Sequence, residues 1–131
     1  MDATRRIVLL ETGMAATWVA LALLQVGPEG LRGAWWVAAL AAVGFATFYY
    51  ADEHRLGGVD GWSRYALAAA LVVGATVGTG SIVVLTGLSL PKTVAGVLVG
   101  AAVALIAYRF LYGVVRPVPD ARLERARDRA V

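Results

Sequence analysis

The chain contains no cysteine, a single histidine and a single lysine among its 131 residues. The lack of cysteine excludes disulfides, thiolate metal sites and cysteine nucleophiles. Charged residues make up only 16% of the chain and hydrophobic residues 60%, against roughly 25% and 45–50% in soluble domains. A soluble domain of this size has too small an interior to hide so much apolar surface, whereas a lipid bilayer would solvate it.

Catalytic signatures are also missing from the sequence. It has no GxSxG or P-loop motif, no GxGxxG after a strand, no HExxH spacing and no paired carboxylates within its apolar runs. We therefore expect no enzyme activity, no cofactor and no metal site. The pI near 9.7 could indicate nucleic-acid binding. The basic residues flank apolar runs instead of forming one patch, however, so we expect no nucleic-acid partner.

Four apolar runs divide the chain, at about 7–26, 34–51, 65–90 and 94–115. Each is close to the roughly 20 residues that a helix needs to cross the hydrocarbon core. Turn-forming segments rich in glycine and proline separate them, among them GPEGLRG and SLPK. The pattern predicts an all-α integral membrane protein: a four-transmembrane-helix bundle made of two helical hairpins in one domain, 1–115. A short charged tail, 116–131, follows.

The arginines predict how the chain is threaded. If the N-terminus lies inside, the inner segments carry nine of them: Arg5, Arg6, Arg55, Arg64, Arg116, Arg122, Arg125, Arg127 and Arg129. The outer loops carry only Arg32 and Lys92. This bias follows the positive-inside rule and predicts cytoplasmic N- and C-termini. We expect a multi-pass protein of the cell (plasma) membrane, with the lipid bilayer as its first partner. The arginine-, alanine- and glycine-rich composition suggests a GC-rich prokaryotic genome.

Two charges, Glu11 and Arg109, lie inside the apolar runs. Glu11 lies five residues beyond Arg6, and Arg109 lies seven residues before Arg116, so both should reach similar depths near the inner surface. Charges inside a membrane are costly and usually pair or face the bundle interior. We expect Glu11 and Arg109 to meet, as a structural clamp or as an ion- or proton-linked site. A further alternative is that both side chains extend separately to the headgroups.

Small residues recur at four-residue spacing in the third and fourth runs. Such faces let helix backbones approach closely. We expect the two helices to pack at Gly74, Gly78, Gly96 and Gly100, within one chain or, alternatively, between copies in a homo-oligomer.

The segment DEHRLGGVDGWSR and the tail are polar. Asp52, Glu53, His54 and Asp60 have no metal-ligand spacing, so a solvated loop is the expected structure. In the tail, Asp120 could cap a short helix. The tail's arginines could dock on anionic headgroups, or the tail could stay frayed in water.

These features predict a small polytopic membrane protein without a catalytic site, serving as an accessory or scaffold component with other membrane subunits or copies of itself. The alternative is a small ion- or proton-coupled transporter that uses Glu11. In layout, four spans with a glutamate embedded in the first, the chain resembles the small multidrug resistance transporters. In that family the glutamate binds cationic substrate or protons within a dimer, and the resemblance implies this role for Glu11. It covers span layout and no motif, and Arg109 would compete for the carboxylate.

Overall fold

A computed structural model of the chain describes residues 2–55 and 61–130. Apart from short links, these residues are helical, and no strand is present among them, which confirms the predicted all-α class. The described helices are α1 (Ala3–Gly33), α2 (Trp35–Tyr50), α3 (Gly61–Thr86), α4 (Leu90–Phe110) and α5 (Asp120–Ala130). Two π-helical turns, π1 (Ala51–Arg55) and π2 (Leu111–Val115), extend α2 and α4.

Helix α1 is interrupted at Gly27, where φ is 69° and ψ is 175°. This left-handed φ is readily adopted only by glycine. Pro28 follows directly and has no backbone N–H to continue the hydrogen-bond ladder. The break therefore separates the apolar part of α1 from a short polar continuation that leads into α2.

A three-residue link joins α3 to α4. Gly87 takes a φ of 71° directly after α3 and so ends the helix. The Ser89 side chain then accepts a hydrogen bond from the Lys92 N–H at 3.4 Å, and Pro91 occupies the first turn of α4. Helix α3 thus ends four residues before the predicted boundary at 90, and α4 begins four residues before the predicted boundary at 94.

Helix α4 lies at the centre of the molecule and packs on both α1 and α2. The core joins Ala15 of α1 to Ala102 and Leu105 of α4, with Trp18 and Tyr49 packed against them. Helices α1 and α2, which were predicted to form a hairpin, touch each other far less than each touches α4. Helix α3 has no buried residue among those whose side chains are described. Helices that follow each other in the sequence are therefore not the main packing partners of one another.

The predicted packing of four glycines between α3 and α4 is wrong. A Cβ on Gly100 would collide with the Ala38 carbonyl oxygen, and one on Gly96 would lie 3.0 Å from the Val37 side chain. Both glycines of α4 therefore approach α2, whose small side chains allow close contact. A Cβ on Gly74 or Gly78 would meet nothing within 4 Å. These two glycines line an apolar cavity of about 430 Å³ between α2 and α3.

Three of the described helical stretches are long and apolar enough to cross a membrane: Ala3–Gly33, Tyr65–Thr86 and Leu90–Val115. Helix α2, taken without π1, has 16 residues and is shorter than these three stretches. Large apolar side chains cover the outside of the molecule. Leu24 and Leu85, for example, are 84% and 83% exposed.

Candidate functional site

Arg109 is the centre of a charged cluster at one end of the molecule. The members of this cluster are three carboxylates and three guanidinium groups: Glu11, Asp52, Glu53, Arg109, Arg122 and Arg125. The Arg109 side chain, on the last turn of α4, is only 3% exposed. A buried guanidinium group is stable only when its donors are paired, and Arg109 finds acceptors on two other elements.

Glu11 of α1 binds one edge of the Arg109 guanidinium group. Arg109 Nε and Nη2 both lie 2.7 Å from Glu11 Oε2. The other carboxylate oxygen, Oε1, accepts hydrogen bonds from Arg122 Nη2 at 2.8 Å and from Arg122 Nε at 3.2 Å. The structure thus brings Glu11 and Arg109 together, and it adds a second arginine, from α5, to the same carboxylate.

Glu53 binds the adjacent edge of the Arg109 guanidinium group, which shares Nη2 with the edge that Glu11 binds. Arg109 Nη2 donates to Glu53 Oε1 at 2.5 Å, and Nη1 donates to Oε2 at 3.5 Å, in a two-point contact typical of arginine and carboxylate. Glu53 is 6% exposed, so the expectation that it lies in a solvated loop is wrong. It is buried because π1 continues α2 beyond its apolar run and turns this side chain toward α4. Asp60, from the same segment, lies outside the described residues.

A group of tyrosine and histidine rings reaches Glu53 through the Tyr108 hydroxyl. The Tyr108 hydroxyl donates to Glu53 Oε2 at 2.9 Å and lies 3.2 Å from His54 Nδ1. The His54 ring stacks on Tyr50, with ring centroids 4.4 Å apart, and packs on Tyr112 at 4.6 Å. These rings pack on one another around Tyr108, whose hydroxyl contacts the buried carboxylate. His54 and Tyr108 had no assigned role in the sequence, and only the position of Tyr108 next to Arg109 could have suggested one.

Helix α5 closes the cluster from outside. Besides the contact of Arg122 with Glu11, Arg125 Nη1 lies 3.1 Å from Asp52 Oδ2 on π1. The tail therefore contains a helix, from Asp120 to Ala130, that is docked by ion pairs to α1 and to π1. The docking residues, Arg122 and Arg125, lie about one helical turn apart on the face of α5 that contacts α1 and π1.

The arrangement is suited to holding helices together. Three carboxylates and three guanidinium groups balance in charge, and Arg109 alone connects α1, π1 and α4. In the described ranges, 2–55 and 61–130, no group of three histidine, aspartate or glutamate side chains could hold a metal ion. Two threonines of α3 bond to the carbonyl one turn earlier in their own helix: Thr76 donates to the Val72 carbonyl at 2.8 Å, and Thr86 to that of Ile82 at 2.6 Å.

Comparison of the chain with protein-family models, with curated proteins and with solved structures finds no match.

Proposed function

We propose that the chain is a multi-pass protein of the plasma membrane with four spans: α1, α2 with π1, α3 and α4 with π2. Three long apolar helices and the exposed leucines and valines on their outer faces support this proposal. Helix α2 and π1 run together from Trp35 to Arg55, which corresponds to roughly 30 Å of helix, about the thickness of the hydrocarbon core.

The proposed orientation has both termini in the cytoplasm, because nine arginines lie at one end of the spans and two basic residues at the other. The chain has no cysteine of its own, so single cysteines can be labelled without background. In intact cells, an impermeant maleimide should label Glu29→Cys, whereas Asp128→Cys should react only after permeabilisation. Labelling of Asp128→Cys in intact cells would reverse the orientation.

Within this topology, we propose that the protein is an accessory or scaffold component that assembles with other membrane subunits or with itself and carries out no catalytic step. The observation that carries this proposal is that two carboxylates, the partly buried Glu11 and the buried Glu53, are both fully engaged by arginine and tyrosine side chains. Both oxygens of Glu11 accept from arginines, and Glu53 is held by Arg109 and Tyr108. A transport carboxylate must release its partners in order to bind a proton or a cation. Glu11 would have to leave two arginines, which favours the structural role over transport.

The experiment compares assembly with transport. The wild-type chain is extracted in mild detergent from its native membrane, and its mass is measured by native mass spectrometry. We expect a defined assembly larger than one chain, with fixed subunit ratios.

The purified chain is also reconstituted in liposomes that carry an imposed pH gradient and a pH-sensitive dye.

In these liposomes we expect the same proton leak as in protein-free liposomes, and Glu11→Gln should not change it. A single free chain in the first measurement, combined with a proton flux that Glu11→Gln abolishes in the second, would replace the scaffold with a transporter.

A further inference from the structure

A basic cavity lies beside the charged cluster, where the start of α1 meets α5. It has a volume of about 320 Å³, and four arginines line it: Arg6 from α1 and Arg122, Arg127 and Arg129 from α5. No carboxylate lines this cavity among the described residues. Arg122 is neutralised by Glu11, whereas in the described part of the chain the other three form no ion pair. The cavity therefore carries three positive charges that no carboxylate of the described residues pairs with.

A second, smaller cavity of about 190 Å³ adjoins the first through Arg122 and Arg129, and Asp52 and Arg125 complete its lining. The Arg125 side chain is 15% exposed, and its Nε and Nη2 atoms are buried without a hydrogen-bond partner among the described residues. Buried charged donors are costly when they are left unpaired, so this place fits an oxygen anion. Guanidinium groups suit phosphate in particular because their planar donors match its oxygens in pairs.

The floor of the larger cavity is apolar, formed in part by Ile7 and Leu10. Leu10 is 63% exposed and begins an open apolar face of α1 that continues through Met14 and Leu21, which are 45% and 51% exposed. A free phosphate ion gains nothing from this face. A phospholipid would place its phosphate among the arginines and its acyl chains along the helix.

We infer that this cavity binds the headgroup of an anionic phospholipid. The inference rests on the membrane location argued under Proposed function. A zwitterionic headgroup fits less well, because its cationic amine would face three unpaired arginines. The docked helix α5 would in this way fasten the protein to the inner leaflet by lipid as well as by its ion pairs to α1 and π1.

The test is a thermal-shift titration of the full chain in a neutral detergent. Three probes are added separately: phosphatidylglycerol, phosphatidylcholine with the same acyl chains, and inorganic phosphate. A ligand that binds only the folded state raises the melting temperature in a saturable way. We expect a saturable rise of several degrees with phosphatidylglycerol and less than a third of that rise with either of the other probes.

Matched variants locate the effect. The triple variant Arg6→Gln, Arg127→Gln and Arg129→Gln changes only exposed side chains outside the charged cluster, so its melting temperature without lipid should equal that of the wild type. It should lose the rise with phosphatidylglycerol. The control pair Arg32→Gln and Lys92→Gln removes positive charge far from the cavity and should keep the full rise.

Three results would overturn the inference: an equal rise in the triple variant, an equal rise with phosphatidylcholine, or an equal rise with inorganic phosphate, which would indicate a free-anion site. Fractionation of cell membranes separates this inference from the proposed location. If one of these three results is obtained and the wild type still remains in the membrane fraction after carbonate washing, only the lipid site is overturned. If the wild type is released, the membrane location itself is wrong.

Discussion

Helices α3 and α4 have nearly the same hydropathy and the same four-residue spacing of small residues. Helix α4 nevertheless lies at the centre of the molecule, whereas α3 lies at its periphery. Half of the most apolar window of α4 is buried, and none of that of α3 is. The clearest difference in composition is Arg109, which lies on α4 where Tyr65–Thr86 has no charged residue. Apolar patterning thus indicates which segments form helices long and apolar enough to cross a membrane, and the buried charge indicates which of these helices is central.

The largest expected effect comes from removing the charge that distinguishes α4. Among the described residues, Arg109→Met leaves the buried Glu53 with only the Tyr108 hydroxyl bond and a distant contact to Arg122 at 3.9 Å. Removing one partner of a buried ion pair typically destabilises a protein by about 3–5 kcal/mol. We expect a loss in this range, measured by chemical unfolding in detergent micelles. As a control, Arg32→Met removes an arginine that is 78% exposed and should change the stability by less than about 0.5 kcal/mol.

The glycines give a matched test of the two helices. Gly100→Ala places a methyl group against the Ala38 carbonyl oxygen and the Ala41 side chain, so α4 would have to move away from α2. Overpacking of this kind usually costs about 1–3 kcal/mol. Gly78→Ala adds the same group to α3 in open space and should leave the stability unchanged or slightly raised. Equal losses for both variants, measured by thermal unfolding, would contradict the central position of α4.

How far the sequence predicts this molecule depends on the kind of residue. The pairing of Glu11 with Arg109 could be predicted from the sequence, because two charges at matching depth in apolar runs have few other partners. The pairing of Glu53 with Arg109 could not be predicted from the sequence. The polar neighbours of Glu53 in DEHRLGGVDGWSR resemble a loop, and the π turn that buries it has no simple sequence signal. Gly96 and Gly100 lie against α2 and not against α3. Small-residue spacing does not specify which helix approaches. That choice depends on the alanines of α2 and on the path of the chain between the helices.

A smaller effect should follow from the tyrosine beside Arg109. Tyr108→Phe keeps the ring but removes the hydroxyl that donates to Glu53 Oε2. The loss of a buried hydrogen bond to a charged group is expected to cost about 1–2 kcal/mol. Tyr112→Phe is the matched control, because the Tyr112 ring packs on Tyr108 at 4.9 Å and its hydroxyl takes no side-chain bond in the described part of the chain. Comparable losses for the two variants would show that the hydroxyl bond contributes nothing.

The central claim is that Arg109 and the carboxylates around it act as one clamp on α4, and a double-mutant cycle between Arg109 and Glu53 tests it most directly. The double variant Arg109→Met and Glu53→Gln removes both partners and leaves the Glu11–Arg122 pair in place. We predict that its loss of stability falls short of the sum of the two single losses by about 1.5–3 kcal/mol. A parallel cycle of Arg109→Met with Glu29→Gln, a distant surface change, should be additive within about 0.5 kcal/mol. Additivity in the Arg109–Glu53 cycle as well would contradict the clamp.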